Sequence, residues 1–174
     1  MNMKKFIFIL GLIAICFSSC SRKMLPRATN SINTASLDVL NLERKDYEIL
    51  NTITAEASVI YHLSSNSFEI RIPDDDFSCE GNFFKGTTPI IKSFTGTFKS
   101  GNLSGTAYPS ATMITPEITS KELALYRIIN IAKQEGADAV IAPTISMNIE
   151  QVSKRETIYK TIVTAKLVKF KTNN

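Results

Sequence analysis

Few side chains in this chain are of types that do chemistry. His62 is the single histidine. As a general base it needs a nucleophile and an orienting carboxylate brought to it by folding. It sits on the polar side of an alternating stretch, where a solvated or hydrogen-bonded imidazole is the simpler reading. Asp74, Asp75 and Asp76, with Glu80 nearby, offer oxygen ligands to a hard cation. The D-x-D-x-D-G spacing of a calcium loop is missing and adjacent acids diverge, so a solvated turn is expected. Phe77, Phe83, Phe84, Phe94 and Phe98 form either an apolar binding surface or, more simply, core. No P-loop, G-x-G-x-x-G, G-x-S-x-G or H-E-x-x-H occurs. No catalytic, cofactor-binding or metal-binding residue is therefore assigned. A hydrolase using His62 and a serine stands as the alternative to a non-catalytic role.

The informative cysteine is Cys20. Residues 1–19 carry Lys4-Lys5, then a 12-residue apolar run from Phe6 to Phe17, then Ser18-Ser19. A basic start, a short apolar run and small residues make a secretory signal. The run falls short of the about 20 residues that span a bilayer. Phe17-Ser18-Ser19-Cys20 resembles the lipobox of bacterial lipoproteins, with Phe17 where Leu, Ile or Val is usual. The resemblance implies a diacylglycerol on the Cys20 thiol, cleavage before it, and acylation of the new amine with a palmitate-type chain. Several chains are needed because each buried CH2 contributes about 0.8 kcal/mol and one chain holds only marginally. Ser21, rather than Asp, implies the outer membrane. The absence of acidic residues after Cys20 favours the periplasmic leaflet. Cys16 leaves with the signal, so Cys79 is the one remaining thiol, expected buried and inert.

The 174 residues allow one ordinary domain. The formal charge of +4 loses Lys4 and Lys5 with the signal, leaving 18 basic against 16 acidic residues. No dense basic stripe remains, which argues against nucleic acid as a partner. The expected organisation is a signal peptide over 1–19, a lipidated N-terminus and tether over 20–36, and a single domain over 37–174.

The elements follow from periodicity. Leu37–Leu42 is a short apolar stretch, a strand or a segment packed on a sheet edge. Tyr47–Leu63 alternates as a long strand, with a bulge expected near Asn51. Ser67–Ile72 alternates after a turn and completes a hairpin. Residues 73–118 hold four of the six prolines and five of the seven glycines, and read as a β-rich insertion or a long loop, with strand candidates at 89–98 and 103–108. Ser120–Glu135 has helical spacing, with Thr119 as the expected N-cap and Gly136 as the C-terminal stop. Ala137–Glu150 is expected as a strand with its odd-numbered residues from Ala139 to Ile149 on one face. Thr157–Lys171 is the last strand. One strong helix among several strands predicts an α+β fold, a mainly antiparallel sheet with one principal helix.

Ala132, Gly136, Ala137, Asp138, Ala139 and Val140 resemble the A-x-x-x-G-A-D-A-V signature of small bacterial envelope proteins, the YbjQ-like and Rcs stress-sensor types. There a helix runs through Gly-Ala-Asp-Ala into a strand. The physical reason is local: Gly136 ends the helix with positive φ, and Asp138 can bond backbone amides in the tight connection. Gly136→Val is accordingly expected to destabilise more than Gly101→Val, placed in an exposed turn. The function expected is a membrane-anchored envelope lipoprotein with a binding or structural role, attached through its lipid and contacting an envelope protein.

Overall fold

A computed structural model describes residues 25–34, 43–84, 88–103 and 114–171. The signal segment, Cys20, Leu37–Leu42 and 104–108 lie outside them. The fold is α+β. The strands are β1 (Arg27–Ser31), β2 (Asn33–Thr34), β3 (Tyr47–Leu63), β4 (Ser67–Ile72), β5 (Phe77–Phe84), β6 (Thr88–Thr95), β7 (Phe98–Asn102), β8 (Ala139–Gln151) and β9 (Glu156–Phe170). The helix α1 spans Pro116–Gln134. Seven strands form one sheet in the order β2-β8-β9-β3-β4-β5-β6, and β1 pairs with β7 in a second, two-stranded sheet. All pairings are antiparallel except β1–β7 and β2–β8.

The helix lies between the two sheets. Leu123, Ala124, Ile128, Ile129 and Ala132 are fully buried, joining Val59, Ile70, Ile72, Phe77, Val140, Val163 and Leu167 in one core. Its spacing of apolar residues is as the sequence predicts, but its start is not. Thr115 caps it, accepting from the Ile118 N–H at 3.3 Å, and Pro116 takes the first turn. Proline suits that position because its missing N–H has no partner there anyway. Thr119, expected as the cap, is buried one turn inside, donating to the Thr115 carbonyl at 2.7 Å. Thr115→Ala is expected to lower stability by about 1 kcal/mol, measured by urea melts, with Glu117→Ala as the neighbouring control.

Two bulges explain where the period-2 reading fails. The β3–β9 register shifts between Ile49 and Asn51, as expected near Asn51. The β8–β9 register shifts between Ile141 and Thr144, where Ala142 has φ +48°. Each extra residue flips a strand's side chains to the other face. Tyr47, Ala139, Ile141 and Val168 therefore form a separate small cluster, apart from Ile53, Ala55, Val163 and Ala165 in the main core. The single face assigned to Ala139–Ile149 is split. Ile145, Met147 and Ile149 lie on the helix side, beyond its cover and exposed.

The described part of 73–118 is β-rich, as the first of its two readings has it, and its strands are built into the two sheets. Residues 73–75 form one 3-10 turn, β5 and β6 extend the main sheet, and the chain reverses at Gly96 into β7, which packs on α1. The tether is also shorter than expected. Residues 27–34 are strands rather than free chain, and Leu25 already packs on the core. Their lack of apolar alternation hid them. Backbone pairing of β1 to β7 and of β2 to β8, with polar side chains, holds them in place.

Candidate functional site

The polar anchors of β1 come first. Arg27 Nε donates to Ser100 Oγ at 2.8 Å and its Nη2 to Glu122 Oε2 at 2.9 Å. Its guanidinium also lies 5.6 Å from the centre of the Phe98 ring. Asn30 donates to Asn130 and accepts from Lys133. Burial lifts the Glu122 carboxyl above its usual range, and Arg27 offsets this only in part. Nothing in the sequence pairs these distant residues. The arrangement is structural, tying the N-terminal strand to the helix.

At the helix–strand junction, Gly136 has φ +70°, as its place after the last helical turn predicts. Asp138 differs from expectation. Its carboxylate accepts from the Phe170 N–H at 2.9 Å and from Lys169 Nζ at 3.1 Å, both on β9, rather than from amides of its own connection. Lys169 also donates to the Gly136 carbonyl at 2.8 Å. The Phe170 amide first, and Lys169 second, hold the Asp138 carboxyl below the usual range. Its folded-state value is depressed, so the stability it contributes is present above the unfolded value of about 4 and is lost as pH falls. Asp138→Asn is expected to melt below the wild type at pH 7, with the gap closing at acid pH. A gap of constant size from neutral to acid pH contradicts this assignment.

The candidate chemical residues are placed as follows. Cys79 is fully buried, and burial, with Glu80 second, pushes its thiol up to about 11. It is protonated and inert at neutral pH. Asp74 and Asp75 lie in the 3-10 turn and pair with Arg127 at 3.3 Å each, and Asp75 also accepts from Lys99 at 2.7 Å. Their charges are spent on pinning the turn to α1 and β7. Among the described residues no group of three or more His, Cys, Asp or Glu could hold a metal ion. Phe77 and Phe98 are core, 5.6 Å apart between ring centres, and Phe83 and Phe94 pack against it.

His62 lies on the face of the sheet opposite α1. Directly across from it stand Glu156 on β9 and Glu69 on β4. The row continues through Glu80 on β5 to Ser93 on β6, whose hydroxyl donates to Glu80 at 3.2 Å. Glu69 accepts from Arg71 at 2.8 Å. Neither residue opposite His62 is a nucleophile. The next row carries Ile158, Ile60 and Arg71, and beyond it Lys160 pairs with Glu56 at 2.9 Å. This face is polar, with Ile60, Ile158 and Ile162 half-buried among charged neighbours. None of the other described elements packs across it.

The helix-side face has two features that the sequence reading missed. Ser120 and Thr161 share a buried hydrogen bond of 2.8 Å, which ties α1 to β9. Tyr159, Tyr61, Phe68 and Phe83 form a chain of ring contacts with centres 5.2 to 6.4 Å apart. Burial raises the phenols of Tyr61 and Tyr159, and Glu117 adds to both.

No protein-family model, no curated protein and no solved structure matches the chain.

Proposed function

We propose that this chain is a lipid-anchored protein of the bacterial envelope with a non-catalytic binding role. Cys20 carries the lipid, at the periplasmic face of the outer membrane, and the part of the sheet face around His62 meets an envelope protein. The observation that best supports a binding role is the setting of His62. It is half-buried between Glu69 and Glu156, with no hydroxyl or thiol directly opposite it on β4 or β9. A hydrolase built on His62 needs a nucleophile within hydrogen-bond reach of the imidazole. An open, mixed-charge face with apolar residues at its centre suits a protein contact better.

The short tether fits the anchor. Five residue steps separate Cys20 from Leu25, which packs on the core. At about 3.5 Å per residue, the domain is held close against the membrane surface. Among the described residues no helix is long and apolar enough to cross a membrane, so Cys20 carries the attachment in this reading.

The test is fractionation of cells expressing the wild type or Cys20→Ala. The wild type is expected in the outer-membrane fraction after an alkaline wash and in the detergent phase on partitioning. Cys20→Ala is expected to leave the detergent phase. A wild-type chain found in the aqueous phase contradicts the proposal.

A further inference from the structure

We propose that the outer edge of β8 pairs with β8 of a second copy of this chain, antiparallel about a twofold axis at Met147. The argument begins with the ladder. Val152 N–H bonds the Glu156 carbonyl at 3.0 Å, and Leu63 N–H bonds the Arg155 carbonyl at 2.7 Å. Bonding direction alternates along an antiparallel pair. The even-numbered residues of β8 from Thr144 to Val152 therefore bond β9. The odd-numbered ones, Ile145, Met147, Ile149 and Gln151, turn N–H and C=O outward. Among the described residues β2 covers only Ala139 and Val140 of that edge. Four residues along this stretch thus offer outward donors and acceptors beside an exposed apolar row, with Ile149 55% exposed.

The sequence of this edge matches itself. With the axis at Met147, Met147 faces Met147 of the second copy, and Ile145 faces its Ile149, all on the helix side. On the opposite face Ser146 meets Asn148 and Thr144 meets Glu150. Glu150 is the one charged residue between Thr144 and Gln151, so no like charges are opposed. Pro143 falls opposite Gln151 and loses only the bond its absent N–H would have made. Sliding the pair by two residues either way weakens the match, leaving Ile145 opposite Gln151 or Ile149 opposite Pro143. Exposed edges are commonly blunted by lysine, proline or inward charge. Here proline and a bulge guard one end, and the stretch from Thr144 to Gln151 has no such guard. A strand from an unrelated protein would not require this internal symmetry, which favours a second copy as the occupant.

The test is cysteine crosslinking of the full chain, extracted from cells in mild detergent and oxidised with copper phenanthroline. The wild type, with Cys79 buried, serves as background. Met147→Cys is expected to form a disulfide dimer rapidly. Ile145→Cys is not, because the two copies of residue 145 lie four residues apart along the strand, about 13 Å. A mixture of Ile145→Cys and Ile149→Cys chains is expected to crosslink. Met147→Pro removes the central pair of hydrogen bonds and is expected to weaken dimerisation about tenfold or more. Its N–H points away from β9, so the monomer fold is expected to persist, and Ile149→Lys is a second disruptive variant. Equal crosslinking at 145 and 147, or a monomer by sedimentation of the wild type at high micromolar concentration, overturns the proposal. A monomer that instead captures a strand of another protein overturns it as well.

Discussion

Gly101→Val is expected to be among the most damaging single substitutions in the domain, costing about 3 kcal/mol or more through overpacking. A Cβ built on Gly101 comes within 2.2 Å of the Tyr126 amide nitrogen and 2.4 Å of the Leu125 carbonyl carbon. Both atoms belong to helix backbone, which cannot move aside as a side chain could. Either β7 lifts off α1, taking its partner β1 and the Arg27–Glu122 pair with it, or the helix shifts in the core. Gly136 is the opposite case. Its φ of +70° disfavours other residues, but an added Cβ meets nothing within 4 Å. Gly136→Val is expected to cost less, about 1 to 2 kcal/mol. This reverses the order the sequence implies, because Gly101 is buried against the helix rather than placed in an exposed turn. Denaturant melts of the two variants check it. Equal midpoints, or a lower midpoint for the Gly136 variant, contradict the close packing of β7 on α1.

Phe77→Ala is expected to cost about 3 to 5 kcal/mol, a transfer loss plus the cavity left behind. Phe77 is 1% exposed and is prominent among the large side chains buried most completely. It opens β5 in the main sheet, and its ring meets Phe98 at the start of β7 in the small sheet. The loss is thus felt where the two sheets join, not within one sheet alone. Against a typical domain stability of about 5 to 15 kcal/mol, the variant is marginal at body temperature. Phe94→Ala, on a half-buried side chain of β6, is expected to lose clearly less. Calorimetric melts that rank Phe94 above Phe77 contradict the placement of the core.

Much of the architecture was legible because hydrophobic periodicity is local. Tyr47–Leu63 alternates and is a strand with those bounds, with the bulge beside Asn51. Leu125, Ile128, Ile129 and Ala132 recur at helical spacing and are buried. What stayed hidden was set by contacts distant in sequence. The strand at Arg27–Ser31 has no apolar pattern; its partners are Ser100, Glu122, Asn130 and Lys133. The bulge at Ala142 gives no periodic signal, since Ile145, Met147 and Ile149 keep the alternation while changing face. The cap at Thr115 was masked by an equally good motif at Thr119, and Pro116 was the residue that distinguished them. Of the candidate site, the polar face of His62 was readable from alternation, and the inert Cys79 from the lack of any neighbouring residue pattern that would lower a thiol pKa. Glu69 and Glu156 beside the histidine were not, because register across strands decides them.

The central claim is that Cys20 anchors this domain to a membrane. The most direct measurement is mass spectrometry of the intact N-terminal peptide, taken from the chain purified out of the membrane fraction. The mature chain is expected to begin at Cys20, with a thioether-linked diacylglycerol on the sulfur and an acyl chain on the amine. A chain that begins at another residue, or one with an unmodified thiol at Cys20, contradicts the account.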